Sequence, residues 1–397
     1  MTVPVRSLSV RSSSVRSLTV RSFAKINIGL RIGAAREDGF HELLTVYQTI
    51  GLHDLIGVSL SRGSGIEIRC TDSRVPRDES NTCYRIVEKV MRELNQKGRV
   101  VVDIEKRLPV QGGMGGASTN AAATMLALER VVKKSLNAET RLRIAAEVGS
   151  DVPLFLLGGT VLGVGRGEQV YPLEDLKGTA CVVVTPKVGV STPKAFAEWD
   201  RRMAEGSQGL KPTFSRDADT ALKRRSSAAD STVDAGSVQN AELRSAWTGK
   251  SERPHTGKAE SLGGKLTVSG AFDRMSLLGR GLSAWLGESY SGAPRRHFGE
   301  LRGRAENPFL ALVRAGIKND FEEVVFPEYP ELSEGKRALE RAGAKYASLS
   351  GSGSTLYGLF ASKDAARAAV AKLRRQGWAA QATVTVTRRE YWKRIFL

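Results

Sequence analysis

A glycine-rich segment between a strand pattern and a helix pattern constrains the fold of this chain more than any other feature. Strand-like residues run over 100–104, and an apolar stripe at Met125, Leu128 and Val132 follows at helical spacing. Between them lies a run of small residues: Gln111, Gly112, Gly113, Met114, Gly115, Gly116, Ala117, Ser118, Thr119 and Asn120. Glycine lacks a Cβ, so its backbone N–H can approach a ligand closely, and a helix N-terminus favours negative charge. The segment therefore predicts a phosphate-binding loop at the start of a helix.

Two familiar nucleotide-binding patterns do not describe this loop. The Gly-Lys-Ser/Thr ending of a P-loop is missing, and the glycine spacing differs from the dinucleotide-binding fingerprint. A flexible Gly/Ala linker is the plain structural alternative. The strand before the segment and the helix after it argue against a linker, so a phosphate cradle is the better interpretation.

The residues from Phe23 onwards alternate as in a half-buried strand. Ile26 and Ile28 lie on one face, which puts Lys25 and Asn27 together on the opposite face. Further strands are predicted at 44–50, 58–60, 66–68, 180–185, 346–349 and 356–360, and helices at 82–95, from 140, at 332–342 and at 365–375. A second small-residue loop, Ser350–Ser354, falls within the tail, which predicts a compact α+β lobe.

Asp151 stands at the edge of an apolar run, after Gly149 and before Pro153. Two roles remain open from the residues alone. A helix-cap or turn aspartate is the more common reason for such a position. A carboxylate at the edge of hydrophobic structure could instead take part in catalysis.

The positive charge of the chain is concentrated in two segments. The chain has 397 residues, with 60 Lys plus Arg against 42 Asp plus Glu, which gives a net charge of +18. Residues 1–22 repeat a Val-Arg-Ser pattern with four arginines and no acid, and residues 200–304 are rich in Ser, Gly and Ala. Together these segments carry +10 of the net charge. Both are expected to be poorly folded, and a transit peptide is an alternative for the first.

Composition disfavours several classes of protein. No stretch approaches the roughly 18 consecutive apolar residues of a membrane-spanning helix. Cys70, Cys83 and Cys181 are far apart, and the 4 histidines show no zinc-site spacing. A cytoplasmic protein fits these observations, with organellar import as the alternative. A basic nucleic-acid-binding protein would need a basic stripe with interleaved aromatics, which the mixed charges of residues 200–304 do not supply.

Seven motifs, taken in order, resemble the GHMP family of small-molecule kinases. They are Ala24–Asn27, Asp38–Leu43, Pro109–Ala122, Gly149–Pro153, Gly165–Glu168, Asn319–Glu322 and Leu349–Ser354. The resemblance covers about residues 23–360 apart from an insert, and it implies an α+β fold of two lobes. These are an S5-like ATP-binding lobe at 23–177 and a ferredoxin-like lobe at 178–397, the second interrupted by a disordered low-complexity insert at about 203–304. Residues 1–22 are expected to be disordered.

The resemblance also implies roles for individual residues. Asp151 would be the catalytic carboxylate and Lys25 its partner. ATP would be bound by Asn81, Lys106, Pro109, Gly112, Gly113, Gly115, Gly116, Ala117, Ser118, Thr119 and Asn120. The second substrate would be bound by Asn27, Phe40, His41, Asp151, Thr192 and Phe196, with Phe40 and Phe196 on either side of a cytosine ring. Mg²⁺ is expected as its ATP complex, without a dedicated metal site in the protein.

The activity that the resemblance implies is transfer of the ATP γ-phosphoryl group to an alcohol. The segment Gly39–Glu42 and Phe196 favour a cytidine diphosphate ester, phosphorylated on its 2-hydroxyl in non-mevalonate isoprenoid precursor synthesis. A GHMP kinase for another small alcohol, of the homoserine or mevalonate type, is the alternative, because the glycine loop is compatible with either. The expected partners are small molecules, with neither nucleic acid nor membrane. Ala117 departs from a position often occupied by glycine, and its Cβ could narrow the approach to phosphate.

Overall fold

Two β-sheets, each with helices on one face, form the part of the chain that the structure describes. The computed structural model describes residues 15–110, 112–176, 178–208 and 318–397. The strands are β1 (Arg16–Ala35), β2 (His41–Ser61), β3 (Ile66–Cys70), β4 (Arg99–Glu105), β5 (Thr160–Val164), β6 (Gln169–Pro172), β7 (Ala180–Val184), β8 (Tyr346–Leu349), β9 (Leu356–Phe360) and β10 (Ala380–Val384). The helices are α1 (Thr82–Glu93), α2 (Gly116–Val132), α3 (Ala138–Val148), α4 (Thr192–Gln208), α5 (Phe321–Glu328), α6 (Pro330–Arg341), α7 (Lys363–Arg375) and α8 (Arg388–Arg394).

The first sheet is built around the long hairpin of β1 and β2. Its strand order is β3-β4-β2-β5-β6, and β1 pairs antiparallel with β2 from Arg16 to Ala35. Strands β3 and β4 are parallel, with α1 between them in the chain. The sequence predicted two strands, at 44–50 and 58–60, where the structure has the single strand β2. One strand can serve both because its first half pairs with β5 and its second half with β4.

The second sheet confirms the ferredoxin-like lobe. Its strand order is β10-β7-β9-β8, and every neighbouring pair is antiparallel. The order of elements is strand, helices, two strands, helix and strand, which is the split βαβ arrangement. Buried residues of α4, α5, α6 and α7 pack against one face of this sheet. The two-lobed α+β architecture is therefore confirmed.

Side-chain caps begin several of the helices. Asn81 accepts a hydrogen bond from the backbone N–H of Cys83 at the start of α1. Asn137 and Ser362 cap α3 and α7 in the same way, and Thr387 forms a capping box with Glu390 at α8. Such caps satisfy N–H groups that have no partner within the helix. Helix α2, which follows the glycine loop, begins without a side-chain cap.

The two sheets meet across an apolar layer on one face of β1, and the opposite face of this strand is buried as well. Ala24, Ile26 and Ile28 of β1 pack in one cluster with Val183 of β7 and Tyr357 of β9. The opposite face of β1 is also covered, so Lys25 and Asn27 are only 4% and 1% exposed. The expectation of a half-buried strand is therefore wrong, although the assignment of Lys25 and Asn27 to one shared face agrees with their side-chain hydrogen bond.

Three predicted boundaries differ from the structure. Residues 16–22 are not disordered, because they form the start of β1 and pair with residues 54–60 of β2. Helix α4 continues to Gln208, so the insert does not begin at residue 203, and its remainder lies outside the described residues. The C-terminal residues return to the first lobe, where Ile395 accepts a hydrogen bond from the backbone N–H of Arg21. Tyr391 and Ile395 pack there against Phe23.

The structure has no helix long and apolar enough to cross a membrane among the residues it describes.

Cys70, Cys83 and Cys181 are buried free thiols. Burial raises the pKa of the Cys83 thiol to about 12, so this thiol, which lines the cavity described below, stays protonated at neutral pH.

Candidate active site

A cavity of about 380 Å³ opens at the start of α2. Helix α2 follows Gly115, which has the left-handed conformation (φ 69°), and within the described part of the chain no side chain caps its first turn. The N–H groups at that end have no partner within the helix, and the helix dipole makes this end positive. The arrangement is suited to binding an anionic group such as a phosphate.

Most of the residues predicted to bind the nucleotide line this cavity. They are Asn81, Lys106, Pro109, Gly112, Gly113, Gly115, Gly116, Ala117, Ser118 and Asn120. Thr119 differs from them because its side chain is buried and its hydroxyl has no hydrogen-bond partner among the residues that the structure describes. Ala117 is exposed at the cavity, and its carbonyl oxygen accepts a hydrogen bond from the Thr82 hydroxyl at 2.9 Å. The Cβ of Ala117 therefore lies at the surface of the loop.

A second loop, residues 350–355, holds the glycine loop in place. The Ser350 hydroxyl donates to the carbonyl oxygen of Gly113 at 3.0 Å, and the N–H of Thr355 donates to the carbonyl oxygen of Gly112 at 3.2 Å. Gly113 has φ +74°, and a Cβ there would come closer than 3.0 Å to two carbonyl oxygens of the second loop. Asn319 donates to the carbonyl oxygens of Leu349 and Gly351, which orders the second loop in turn.

Lys106 is held at the cavity wall by a buried carboxylate. Its Nζ lies 2.5 Å from Asp54 Oδ2, and Asp54 is fully buried on β2. The other oxygen of Asp54 accepts hydrogen bonds from the backbone N–H groups of Arg107 and Leu108, both at 2.7 Å. The Asp54 carboxylate therefore holds the Lys106 ammonium with one oxygen and the turn that leads into the glycine loop with the other.

Asp151 lies at the centre of a polar cluster beside the glycine loop. Lys25 Nζ is 3.3 Å from Asp151 Oδ2 and donates to Asn27 Oδ1 at 2.5 Å. Asn27 in turn donates to the Thr45 hydroxyl at 2.8 Å. Lys25 is 4% exposed and Asp151 is 29% exposed, so the carboxylate remains accessible while its cationic partner is buried. The cluster can therefore receive a substrate hydroxyl at the carboxylate.

Contacts of Lys25 connect this cluster to both loops. A Cβ at Gly115 would lie 3.2 Å from Lys25 Cγ, and one at Gly351 would lie 3.5 Å from Lys25 Nζ. The backbone N–H of Lys25 also donates to the carbonyl oxygen of Met114 at 3.1 Å. The Asp151 cluster and the glycine loop are thus in direct contact.

The aromatic residues predicted for the second substrate divide into two groups. The rings of His41 and Phe196 are stacked with centroids 4.8 Å apart, and His41 Nε2 is 2.7 Å from Asp200 Oδ1. Phe40 is 49% exposed, and the Arg166 guanidinium lies 4.9 Å from its ring centroid. Phe196 therefore stacks on His41 in this structure.

Thr192 is exposed at the start of α4, and its hydroxyl is 2.7 Å from that of Ser352.

Three residues of the site were missed by the sequence analysis. Tyr47 donates a hydrogen bond to Asp151, Asp54 pairs with Lys106, and Arg74 lines the cavity. An acidic residue within the apolar pattern of a strand is a signal that could have pointed to Asp54. Tyr47 carried no such signal, because a tyrosine is ordinary in a strand.

Comparison with known proteins identifies the class to which this fold and site belong. The family model described as GHMP kinases N terminal domain matches residues 81–159, and that described as GHMP kinases C terminal matches residues 301–379. A relative from Solibacter usitatus (strain Ellin6076) is 32% identical over 342 residues, which cover 86% of this chain and 81% of that protein. The chain belongs to the GHMP kinase family.

The similar curated proteins carry one particular name. The relative from Solibacter usitatus is called 4-diphosphocytidyl-2-C-methyl-D-erythritol kinase, and so is one from Rhodococcus jostii (strain RHA1), 40% identical over 46% of this chain and 60% of that protein. A crystal structure of 4-(cytidine 5'-diphospho)-2C-methyl-D-erythritol kinase matches with a TM-score of 0.58 and 25% identity, covering 93% of this chain and 99% of that chain. Homoserine kinase from Cytophaga hutchinsonii shares the fold, with a TM-score of 0.54 and 16% identity over 97% of this chain and 98% of that chain.

Proposed function

We propose that this chain transfers the γ-phosphoryl group of ATP to the 2-hydroxyl of 4-diphosphocytidyl-2-C-methyl-D-erythritol, in isoprenoid precursor synthesis. The observation that carries the proposal is the accessible carboxylate of Asp151, paired with buried Lys25 at 3.3 Å, next to an uncapped helix N-terminus in a glycine-lined cavity. A proton acceptor beside an anion site suits the transfer of a phosphoryl group to an alcohol. The name shared by the curated relatives supports the choice of alcohol.

The chemistry follows from these positions. The substrate oxygen forms a bond to the γ-phosphorus while the bond from that phosphorus to the β–γ bridging oxygen breaks, and ADP leaves. The hydroxyl proton passes to the Asp151 carboxylate and then to solvent. Because phosphoryl transfer is loose, positioning and charge stabilisation dominate over early deprotonation. The Lys25 ammonium balances the carboxylate and the negative charge that develops on the transferred group.

The nucleotide is assigned to the cavity at α2. The triphosphate would lie against the glycine loop. There its negative charge would be stabilised by N–H groups of the first turn of α2 and by the Lys106 ammonium. Mg²⁺ would arrive with ATP, taking most of its ligands from phosphate oxygens and water. Among residues 15–110, 112–176, 178–208 and 318–397 the structure contains no group of three or more His, Cys, Asp or Glu side chains placed to hold a metal ion.

The cytidine moiety is assigned to the aromatic residues Phe40, His41 and Phe196. Phe40 offers a half-exposed ring on which a base can stack, and the stacked pair of His41 and Phe196 offers a second aromatic wall. Arg166, which lies over Phe40, supplies a positive charge suited to the diphosphate.

We expect the purified protein to use the cytidine substrate in preference to other alcohols of GHMP kinases. Its kcat/KM should exceed those for homoserine and mevalonate by at least about 100-fold, since polar groups built to bind the cytidine ester stay unpaired with the smaller alcohols. ADP release measures the rate, and ³¹P NMR of the product locates the new phosphate. A higher kcat/KM with homoserine or mevalonate would assign the chain to a different alcohol.

Replacing Phe196 with alanine should raise the KM for the cytidine substrate about tenfold and leave the KM for ATP within about twofold. The variant removes an aromatic wall and the ring that stacks on His41, and base–aromatic stacking contributes about 1–3 kcal/mol per base. The matched control is Phe326→Ala, which removes another partly buried phenylalanine packed on the same core. Equal changes in both KM values for Phe196→Ala would contradict the assignment.

A further inference from the structure

We propose that Tyr47 is a positioning residue, which holds the Asp151 carboxylate in the orientation that accepts the substrate proton. The inference rests on the proposed function, in which Asp151 is the proton acceptor. Tyr47 lies on β2 and Asp151 follows α3, so the contact joins residues 104 positions apart. The phenol acts through Asp151.

The two oxygens of Asp151 have different partners. The Tyr47 hydroxyl donates to Oδ1 at 3.0 Å, and Lys25 Nζ lies 3.3 Å from Oδ2. A carboxylate that has a single partner can rotate about that contact. With a hydrogen bond to one oxygen and an ion pair to the other, the orientation of the Asp151 carboxylate is restricted, and its remaining lone pairs stay available to the substrate hydroxyl. A misplacement of about 1 Å can reduce a rate by about 10²-fold, so this orientation matters for proton transfer.

The tyrosine itself is immobilised by its surroundings. It is 2% exposed, and its ring lies 5.4 Å from Lys25 Nζ. A Cβ at Gly163 would come closer than 3.0 Å to the ring, and one at Gly167 would come closer than 3.0 Å to the hydroxyl. The turn at 165–168, one of the GHMP-like motifs, therefore encloses the phenol. These two glycines pack closely on the phenol and restrict its movement away from Asp151.

The phenol is present in the form that can donate. Burial, together with the negative charge of Asp151, raises the pKa of Tyr47 well above its ordinary value. The hydroxyl therefore keeps its proton throughout the pH range of an enzyme assay, and it remains a donor to the carboxylate.

The first test is Tyr47→Phe, which deletes one oxygen and keeps the ring. We expect kcat to fall about tenfold, while the KM values for ATP and for the cytidine substrate stay within about twofold, because orientation of the acceptor acts on the chemical step. The matched control is Tyr391→Phe, which also removes a buried phenol hydroxyl. The Tyr391 hydroxyl donates to the backbone oxygen of Phe155 at 2.6 Å and has no contact with Asp151 among those that the structure describes. Tyr391→Phe should keep kcat within about twofold, which excludes a general effect of losing a buried phenol.

A double-mutant cycle separates action through Asp151 from a structural role. If Tyr47 acts through the carboxylate, Tyr47→Phe should lower kcat less than about twofold when Asp151 is already asparagine. The slow variants are followed over hours with ³²P-labelled ATP. A full tenfold loss in that background, or a wild-type kcat for Tyr47→Phe alone, overturns the proposal for Tyr47. An inactive wild-type chain, or an Asp151→Asn variant with unchanged kcat, would instead contradict the proposed function, so the two failures are distinguishable.

Discussion

Replacing Asp151 with asparagine is expected to lower kcat about a thousandfold, within the 10²–10⁴ range of general acid–base catalysis. The amide has the size of the carboxylate but cannot take up the substrate proton. It also leaves the ammonium of Lys25, 3.3 Å away, without its negative partner. The KM for ATP should stay within about threefold, because Asp151 does not line the cavity assigned to the nucleotide.

The measurement is kcat from initial rates of ADP formation at saturating ATP and cytidine substrate. Circular dichroism and a thermal melt establish that the variant is folded. Asp103→Asn is the matched control, since Asp103 is an exposed aspartate of β4, more than half accessible to solvent, and should keep wild-type kcat. A kcat for Asp151→Asn within about tenfold of wild type, which is about 1.4 kcal/mol, would mean that another group accepts the proton.

Replacing Gly113 with alanine should destabilise the protein and weaken ATP use together. Gly113 has φ +74°, a conformation that costs an L-residue roughly 1–2 kcal/mol. Its new Cβ would also meet the carbonyl oxygens of Ser350 and Gly353, the second at 2.8 Å, and neither backbone can yield without moving the second loop. Overpacking of this kind costs about 1–3 kcal/mol, so we expect the free energy of unfolding to fall by about 3 kcal/mol.

The same variant should lower kcat/KM for ATP by about 100-fold, because the glycine loop shapes the phosphate site. Urea denaturation measures the first effect and initial rates at varied ATP the second. Gly189→Ala is the matched control, since a Cβ at Gly189 meets nothing within 4 Å and its φ is outside the left-handed region. Wild-type stability for Gly113→Ala would show that the two loops separate easily, contrary to the packing described here.

Patterns within short stretches of sequence predicted the glycine loop and the helix that follows it. Strand, glycine loop and helix were recognisable at 100–132 because each has a local signature, and the cavity lies at the predicted helix start. The alternation of β1 likewise assigned Lys25 and Asn27 to one face. The predicted boundaries of the disordered segments, at residues 22 and 203, were wrong. A low-complexity composition does not reveal whether a neighbouring strand or helix extends into it.

The contacts that complete the site depend on residues far apart in the chain. Tyr47 reaches Asp151 across 104 positions, and Ser350 reaches Gly113 across 237. No local pattern encodes such pairs. The Tyr47–Asp151 contact forms when the first lobe packs, and the Ser350–Gly113 contact forms when the second sheet packs on the apolar face of β1. The sequence by itself determined the two-lobed fold class through its resemblance to the GHMP kinases, and it predicted the phosphate loop and the candidate carboxylate. Only the tertiary structure decided how that carboxylate is oriented, because its ion-pair partner Lys25 lies on β1 and its hydrogen-bond donor Tyr47 lies on β2, and both reach Asp151 only in the packed fold.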